Sequence, residues 1–233
     1  MPAAPLRLVT WNTSPGRLAE KLAALARWRA DIAVLQEVHR PREPVPGLVW
    51  AGRETGGKGV ALWLRPGLRA TRTSPADSSW WSIPTFTIAP LGVTLVNVWT
   101  REEHQYIAGL HSALDDHLPR ARPKALIVAG DFNGNVIFRK DGSRRDFRTL
   151  AERLETTYGL KSAYHAHTGD TYGKERRPTY YFQWDRKQPF HLDYCYVPKR
   201  WAIRRVQVGS YQTWRRLSDH VPVVVDVEMK GDR

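Results

Sequence analysis

Residues 6–37 read LRLVTWNTSPGRLAEKLAALARWRADIAVLQE. The start, 6–11, is a short β-type run. Ser14-Pro15 reads as an N-cap followed by proline at the first helical position, where a missing N–H costs nothing. Leu18, Leu22, Leu25 and Arg29 fall at helical spacing, which predicts an amphipathic helix over 15–29. Ile32-Ala33-Val34-Leu35 is a brief apolar run, expected as a buried strand. Strand, helix and strand in about thirty residues make a βαβ unit, so the fold class is α/β.

The alternation continues along the chain. Gly56-Gly57-Lys58-Gly59 marks a turn before a strand at 60–64. Residues 71–82 are less regular, and 93–98 is a strand. Tyr106, Ile107, Leu110, Ala113, Leu114, His117 and Leu118 give a second helical face, followed by a strand at 125–129. A basic, irregular stretch covers 139–145. Phe147, Leu150 and Leu154 predict a third helix, with Gly159 beyond its end. Residues 165–189 read as a long polar, aromatic and basic loop. Strands are expected at 192–197, 203–208 and 221–227. Neither a repeat nor a linker is visible, so 1–229 reads as one domain and 230–233 as a loose tail.

Composition narrows the function classes. The 233 residues include ten Trp, nine Tyr and six Phe, ample core material that excludes disorder as the main state. A single cysteine, Cys195, excludes a disulfide scaffold and suits a reducing compartment, so a cytoplasmic protein is expected. The first residues lack the basic-then-apolar pattern of a secretory leader, and no apolar run approaches the ~18 residues of a membrane span. The 36 Lys and Arg outnumber 23 Asp and Glu, for a formal net charge of +13. Most of the basic residues are Arg, the better fork for phosphate oxygens, which points to a polyanionic partner. No obligate protein partner is evident.

The polar residues at the strand ends carry the chemistry. Asn12 comes right after the first strand and Gln36-Glu37 right after the second. Gly130-Asp131-Phe132-Asn133 comes after the 125–129 strand, Asp193 sits in the 191–197 run, and Ser218-Asp219-His220 precedes the last strand. Ends of strands in α/β sheets converge on a ligand crevice. Taken singly, each residue also reads as a turn or a solvated strand end. Asp193 is the exception, because a charge in a mostly buried strand needs a partner. Together they supply hard oxygen donors for Mg²⁺ or Mn²⁺ and a histidine that a neighbouring Asp can orient. That combination is a kit for hydrolysing a phosphate ester.

The segments Thr10-Trp11-Asn12, Leu35-Gln36-Glu37, Gly130-Asp131-Phe132-Asn133, His191-Leu192-Asp193-Tyr194 and Ser218-Asp219-His220 resemble, in order, the motifs of the endonuclease/exonuclease/phosphatase superfamily. The resemblance spans nearly the whole chain. It implies a four-layer α/β sandwich, with two mixed β-sheets packed face to face and helices outside. It further implies Glu37 as main metal ligand, with Asn12 and Asp219 close to the metal or its waters. Asp131 would orient the attacking water, Asn133 would help hold water and phosphate, and His220 paired with Asp193 would contact the scissile phosphate. The implied reaction is metal-dependent hydrolysis of a phosphodiester or phosphomonoester.

Two departures bear on the subgroup. Abasic-site nucleases of the superfamily usually carry Asp two residues after the first Asn, where Ser14 stands here. Those nucleases have a Tyr, and deoxyribonucleases a His, in the segment matching 97–104, where Thr100 or His104 would supply the phosphate contact. The stretch Ser162-Ala163-Tyr164-His165 with Pro178-Thr179-Tyr180-Tyr181-Phe182 resembles an uncharacterised group of small bacterial members. Substrate contacts are expected from Arg139, Arg144, Arg177 and Trp184, in loops that interleave basic and aromatic side chains. A DNA nuclease is the favoured reading. The alternatives are a phosphatase or phosphodiesterase for a small phosphorylated molecule, and a catalytically silent nucleic-acid-binding module.

Overall fold

The computed structural model describes residues 5–53, 57–118, 123, 125–138 and 145–230. Strand β1 (Leu6–Asn12) runs parallel to β2 (Ile32–His39), with α1 (Leu18–Ala26) between them. Strands β3 (Leu48–Ala51) and β4 (Lys58–Leu64) pair antiparallel, and β4 also pairs with β2. Then β5 (Arg69–Arg72), β6 (Thr85–Ala89) and β7 (Val93–Trp99) form a meander. Helix α2 (Ile107–His117) crosses to β8 (Leu126–Asp131), parallel to β7. After α3 (Phe147–Thr156) come β9 (Leu160–Ser162), α4 (Ala163–Thr168), β10 (Tyr180–Tyr181), β11 (Pro189–Phe190) and β12 (Asp193–Pro198). Strand β13 (Ala202–Val208), α5 (Tyr211–Trp214) and β14 (Val223–Glu228) complete the described chain.

Two six-stranded mixed sheets result, ordered β13-β14-β1-β2-β4-β3 and β5-β6-β7-β8-β12-β9. Side chains alternate across a strand, so each strand feeds two layers. Leu8, Val34, Leu62 and Val225 of the first sheet meet Phe86, Leu95, Ile127 and Val197 of the second in one buried cluster. Val9, Ala33 and Leu35 point the other way, under Leu22 and Leu25 of α1 and Trp214 of α5. Val96, Val128 and Tyr196 likewise pack under Leu110 and Leu114 of α2 and Leu150 and Leu154 of α3. The architecture is the expected four-layer α/β sandwich. One polar contact ties the layers together: buried Gln36 donates to Asn97 Oδ1 at 2.9 Å, and Asn97 Nδ2 donates to Ala61 O at 3.0 Å.

Several local expectations change. Helix α1 is shorter than 15–29, and Ser14 is not its cap: Arg17 is, in a left-handed conformation with no side-chain cap bond. The buried Lys21 ammonium instead ties the turn down, donating to Ser14 O at 2.8 Å and Pro15 O at 3.3 Å. Burial pulls its pKa down to about 8. Lys58 and Gly59 belong to β4 rather than to a turn, with Gly59 paired to Val38. The stretch 165–189 is not all loop, because it holds most of α4 and the small hairpin β10–β11. Strands β3, β5 and β6 were not expected. Residues 139–144 and 231–233 lie outside the described residues.

Gly130 precedes the last residue of β8 and has φ +147. A Cβ there would stand 1.9 Å from Val98 O on the parallel neighbour β7. That is backbone rather than a yielding side chain, so the strands would have to separate. Gly130→Ala is expected to cost about 2–5 kcal/mol through overpacking and strain. Urea denaturation with unchanged slope would measure it, and a loss below about 0.5 kcal/mol would contradict the close-approach argument.

Candidate active site

Sheet topology brings the polar strand ends together. Parallel β1 and β2 end side by side, with Asn12 opposite Gln36. A register shift between Leu35 and Val38 and a positive φ of 56° turn Glu37 out of the ladder. In the second sheet, the end of β8 meets the start of antiparallel β12, with Asp131 opposite Asp193. The Asn12 amide bridges the two sheets, donating to Asp131 Oδ2 at 2.9 Å and Glu37 Oε1 at 3.2 Å. One amide thereby keeps two carboxylates apart and bonded.

The segment before β14 is stitched to both sheets. Trp11 Nε1 donates to His220 O at 3.0 Å, and Ser218 Oγ donates to Asn12 O at 2.8 Å. Val221 N donates to Thr179 O, and Tyr181 N donates to Asp219 O. The Thr179 hydroxyl accepts from the backbone N–H of Leu192 and Asp193, at 2.9 and 3.1 Å. His220 is therefore fixed by contacts to β1, β10 and the start of β12. Its Nδ1 lies 2.8 Å from Asp193 Oδ2, its Nε2 lies 3.9 Å from Asp131 Oδ2, and the Tyr180 ring packs on it at 4.4 Å.

All three charged members are buried: Asp131 1% exposed, Asp193 0% and His220 4%. Burial opposes the charged imidazolium, but Asp193 and then Asp131 outweigh it and hold the His220 pKa up to about 10. Burial pushes the Asp131 carboxyl up to about 7; His220 opposes this, Asp193 adds to it, and the Asn12 hydrogen bond lowers it. A proton acceptor and a held imidazolium thus stand next to each other.

The loop after β8 is equally fixed. Asn133, at φ 42°, donates its backbone N–H to Asp131 Oδ1 at 2.9 Å. Its Nδ2 donates to Asp131 Oδ2 and Thr100 O, both at 3.0 Å. Buried Asn135 anchors the far side, donating to Glu175, His191 O and the Tyr194 hydroxyl. Ser14, expected as a cap and standing where abasic-site nucleases carry Asp, bonds Asp219 Oδ1 at 2.5 Å through its hydroxyl and Asn12 Oδ1 at 3.0 Å through its N–H. It links two of the residues that the resemblance places near a metal.

The donors suit a hard cation. Glu37, Asn12 and Asp219 offer oxygen and no thiolate, which fits Mg²⁺ or Mn²⁺. Glu37 already holds a positive charge, the Lys58 ammonium at 2.7 Å from Oε2. Asp131, Asp193 and His220 form a second group, with ligand atoms all within 4.8 Å of one another. The Tyr180 hydroxyl reports the shared field: burial first, then Asp219, Asp131 and Glu37, push its pKa up to about 12.

Not every expected residue joins this cluster. The Thr100 side chain is fully buried and its hydroxyl donates to Phe132 O, so it braces the loop. His104 is buried among Trp80, Trp81 and Ser82, with burial lowering its pKa. Exposed Trp184 donates its indole N–H to Arg215 O at 3.1 Å. Arg177 is exposed and its backbone O faces His191 Nδ1 at 2.7 Å. Arg139 and Arg144 lie outside the described residues. Lys58 was missed as a site residue, because its partner is 21 positions away and nothing local marks the pair.

A family model described as the Endonuclease/Exonuclease/phosphatase family matches residues 9–220. The chain belongs to this family. Its members are hydrolytic phosphoesterases. A search of curated proteins found no match. Solved structures with a similar fold include a 3′-5′ exonuclease, NExo, from Neisseria meningitidis (TM-score 0.68, 21% identity, 96% of this chain and 100% of that one). The 3′ phosphatase NExo from Neisseria bound to product DNA hairpin matches at TM-score 0.63, 21% identity, 98% and 100% coverage. The AP endonuclease LMAP from Leishmania major matches at TM-score 0.73, 15% identity, 98% and 89% coverage. At these identities the likeness is one of fold. Among the described residues no helix is long and apolar enough to cross a membrane.

The charge pair makes a prediction for this family member. The His220 pKa is raised from 6.5 to about 10 in the folded chain, largely by Asp193, so the stabilisation is fully present below pH 6.5 and is lost as pH rises through 10. The stability gap between wild type and Asp193→Asn should therefore be widest near pH 6 and narrow toward pH 10. Chemical denaturation at a series of pH values measures the gap. A gap that stays constant or widens with pH contradicts a charged His220.

Proposed function

We propose that the chain is a divalent-metal-dependent phosphodiester hydrolase acting on DNA. The observation that carries this reading is the buried line of contacts from Asp193 through His220 and Asp131 to Asn12 and Glu37. It joins a base, an acid and a cation-binding carboxylate at the meeting of two sheets.

Each residue then has a task. Asp131, with its pKa near 7, accepts a proton from the attacking water. The Asn133 side chain, bonded to Asp131, helps hold that water and the phosphate. His220 presents Nε2 as a charged donor to a phosphate oxygen, while Asp193 fixes the ring through Nδ1 and keeps it protonated. Charge that builds on the phosphate thereby meets a positive group in a water-poor site, where such stabilisation is strongest. Glu37, Asn12 and Asp219 would hold the metal, which would supply Lewis-acid neutralisation of the phosphate. Ser14 positions Asp219 and Asn12 for that duty.

DNA as substrate is supported by two independent observations. The formal net charge of +13 favours a polyanion. The similar folds include a 3′-5′ exonuclease, a 3′ phosphatase bound to a DNA hairpin and an AP endonuclease. The 3′ phosphatase also favours a second reading, removal of a 3′-terminal phosphate by the same residues.

Labelled duplex, single-stranded, abasic and 3′-phosphorylated DNA, with RNA for comparison, tests both. Wild-type protein with Mg²⁺ or Mn²⁺ should process at least one DNA substrate and lose all activity in EDTA. Asp131→Asn and His220→Ala should each lower kcat by about 10²–10⁴-fold in protein that circular dichroism shows to be folded, and His220→Ala should also lower the melting temperature, because it leaves Asp193 buried without its partner. Intact DNA throughout the panel, or wild-type turnover in His220→Ala, would overturn the proposal.

A further inference from the structure

A row of alternating cations and indoles passes through Trp99 and Arg101, which line a cleft with Asn133. Lys58 Nζ lies 5.7 Å from the Trp99 ring centroid. The Arg101 guanidinium lies 4.4 Å from Trp99 and 5.1 Å from Trp81. Arg53 lies 5.2 Å from Trp81. The order is Lys58, Trp99, Arg101, Trp81, Arg53. The two indoles meet edge to face at 5.8 Å and are each only 4% exposed, so they belong to the rigid body of the protein.

The row is placed by the same strands that build the site. Trp99 ends β7 and pairs with Asp131. Arg101 comes two residues later and lines one cleft with Trp99, Tyr106 and Asn133. Lys58 opens β4 and touches Glu37.

Among the described residues the three cations of the row share two carboxylates, Glu37 at Lys58 and Glu103 at the arginines. Glu103 alone serves both arginines, at 3.2 Å from Arg101 Nη2 and 3.9 Å from Arg53 Nη2. Arg101 Nε is buried with no hydrogen-bond partner. Arg53 has no other carboxylate among the described residues, and its side chain is 56% exposed. Ordinary surface packing of arginine on tryptophan needs no ligand. Here the packing holds the Arg101 guanidinium over the Trp99 ring at the cleft that it lines with Tyr106 and Asn133. Cations already held in place lose less freedom on binding an anion.

We propose that Lys58, Arg101 and Arg53 form a phosphate track that binds the backbone of a polynucleotide strand beside the hydrolysed phosphate. This rests on the reading of the site as acting on DNA, and adds where the strand runs. The bound groups are phosphodiesters, read without regard to base, because the track offers guanidinium and ammonium donors on buried indoles. It is built from residues other than the basic stretch 139–187.

Fluorescence anisotropy with a labelled single-stranded DNA of about 12 nucleotides tests the track in EDTA, where no turnover occurs. Arg53→Ala and Arg101→Ala should each weaken Kd about three- to tenfold at moderate salt. Each should also flatten the slope of log Kd against log salt by about 0.7, the value of one single-strand phosphate contact. Glu103→Gln frees both arginines and should tighten binding about two- to threefold. Arg27→Ala, whose guanidinium lies over Trp214 of α5, should bind like wild type. Melting temperatures identify any variant that fails to fold, and the half-exposed Arg53 keeps the test available if Arg101→Ala does not. Wild-type Kd and slope in folded Arg53→Ala, or no oligonucleotide binding by wild type, would overturn the track. Binding with the expected variant effects but no hydrolysis in any metal would remove the hydrolytic reading and uphold the track.

Discussion

Asp193 and His220 sit 27 residues apart in sequence, 2.8 Å apart in space, and away from water. Neither could stay charged there alone, since an isolated buried ion gives up its charge or costs several kcal/mol. Asp193 belongs to β12 of one sheet and His220 to the lead-in of β14 of the other. The pair therefore ties strand ends of the two sheets to each other. Trp11, Ser218 and Thr179 hold the surrounding backbone in that position with hydrogen bonds to residues from both sheets. The geometry at Asp131 and Asn12 depends on it, because both lie on strands that this junction aligns.

The same junction separates proton affinities. Two carboxylates and one imidazole share a buried space, so their charges are coupled. Asp193 keeps the ring protonated, which leaves Nε2 as a donor on the side of Asp131. Asp131 is more weakly acidic than a free carboxyl, which suits a base working near neutral pH. On the other side of Asn12, Glu37 is held by a cation, Lys58, and by the amide. One polar line thus runs from Asp193 and His220 through Asp131 and Asn12 to Glu37. The indole row beginning at Lys58 extends positive charge from that carboxylate toward the surface.

Much of this was legible in the sequence where local pattern and chemistry agree. The βαβ start was readable because apolar spacing switches from strand to helix and back. Asp193 stood out because a charge in an apolar strand demands a partner, and His220 supplies it. Asn12, Glu37, Asp131 and Asn133 were readable as polar residues at strand ends. What failed was short or long-range. Strand β5 is Arg69-Ala70-Thr71-Arg72, an edge strand whose polar composition hides it. Ser14 read as a cap because Ser-Pro is the usual helix entry, yet its hydroxyl was taken by Asp219. Thr100 read as a phosphate contact, but a hydroxyl so close to a buried carbonyl bonds to it instead. Lys58 carried no signal, since its place beside Glu37 depends on β4 pairing with β2.

Everything at this junction turns on His220 being a charged imidazolium held by Asp193 in a buried site. Nitrogen-15 NMR of the imidazole, assigned against His220→Gln, measures this directly. At pH 8 both ring nitrogens should carry a proton, and the charge should persist until pH approaches 10. A neutral single tautomer at pH 8 would contradict the account.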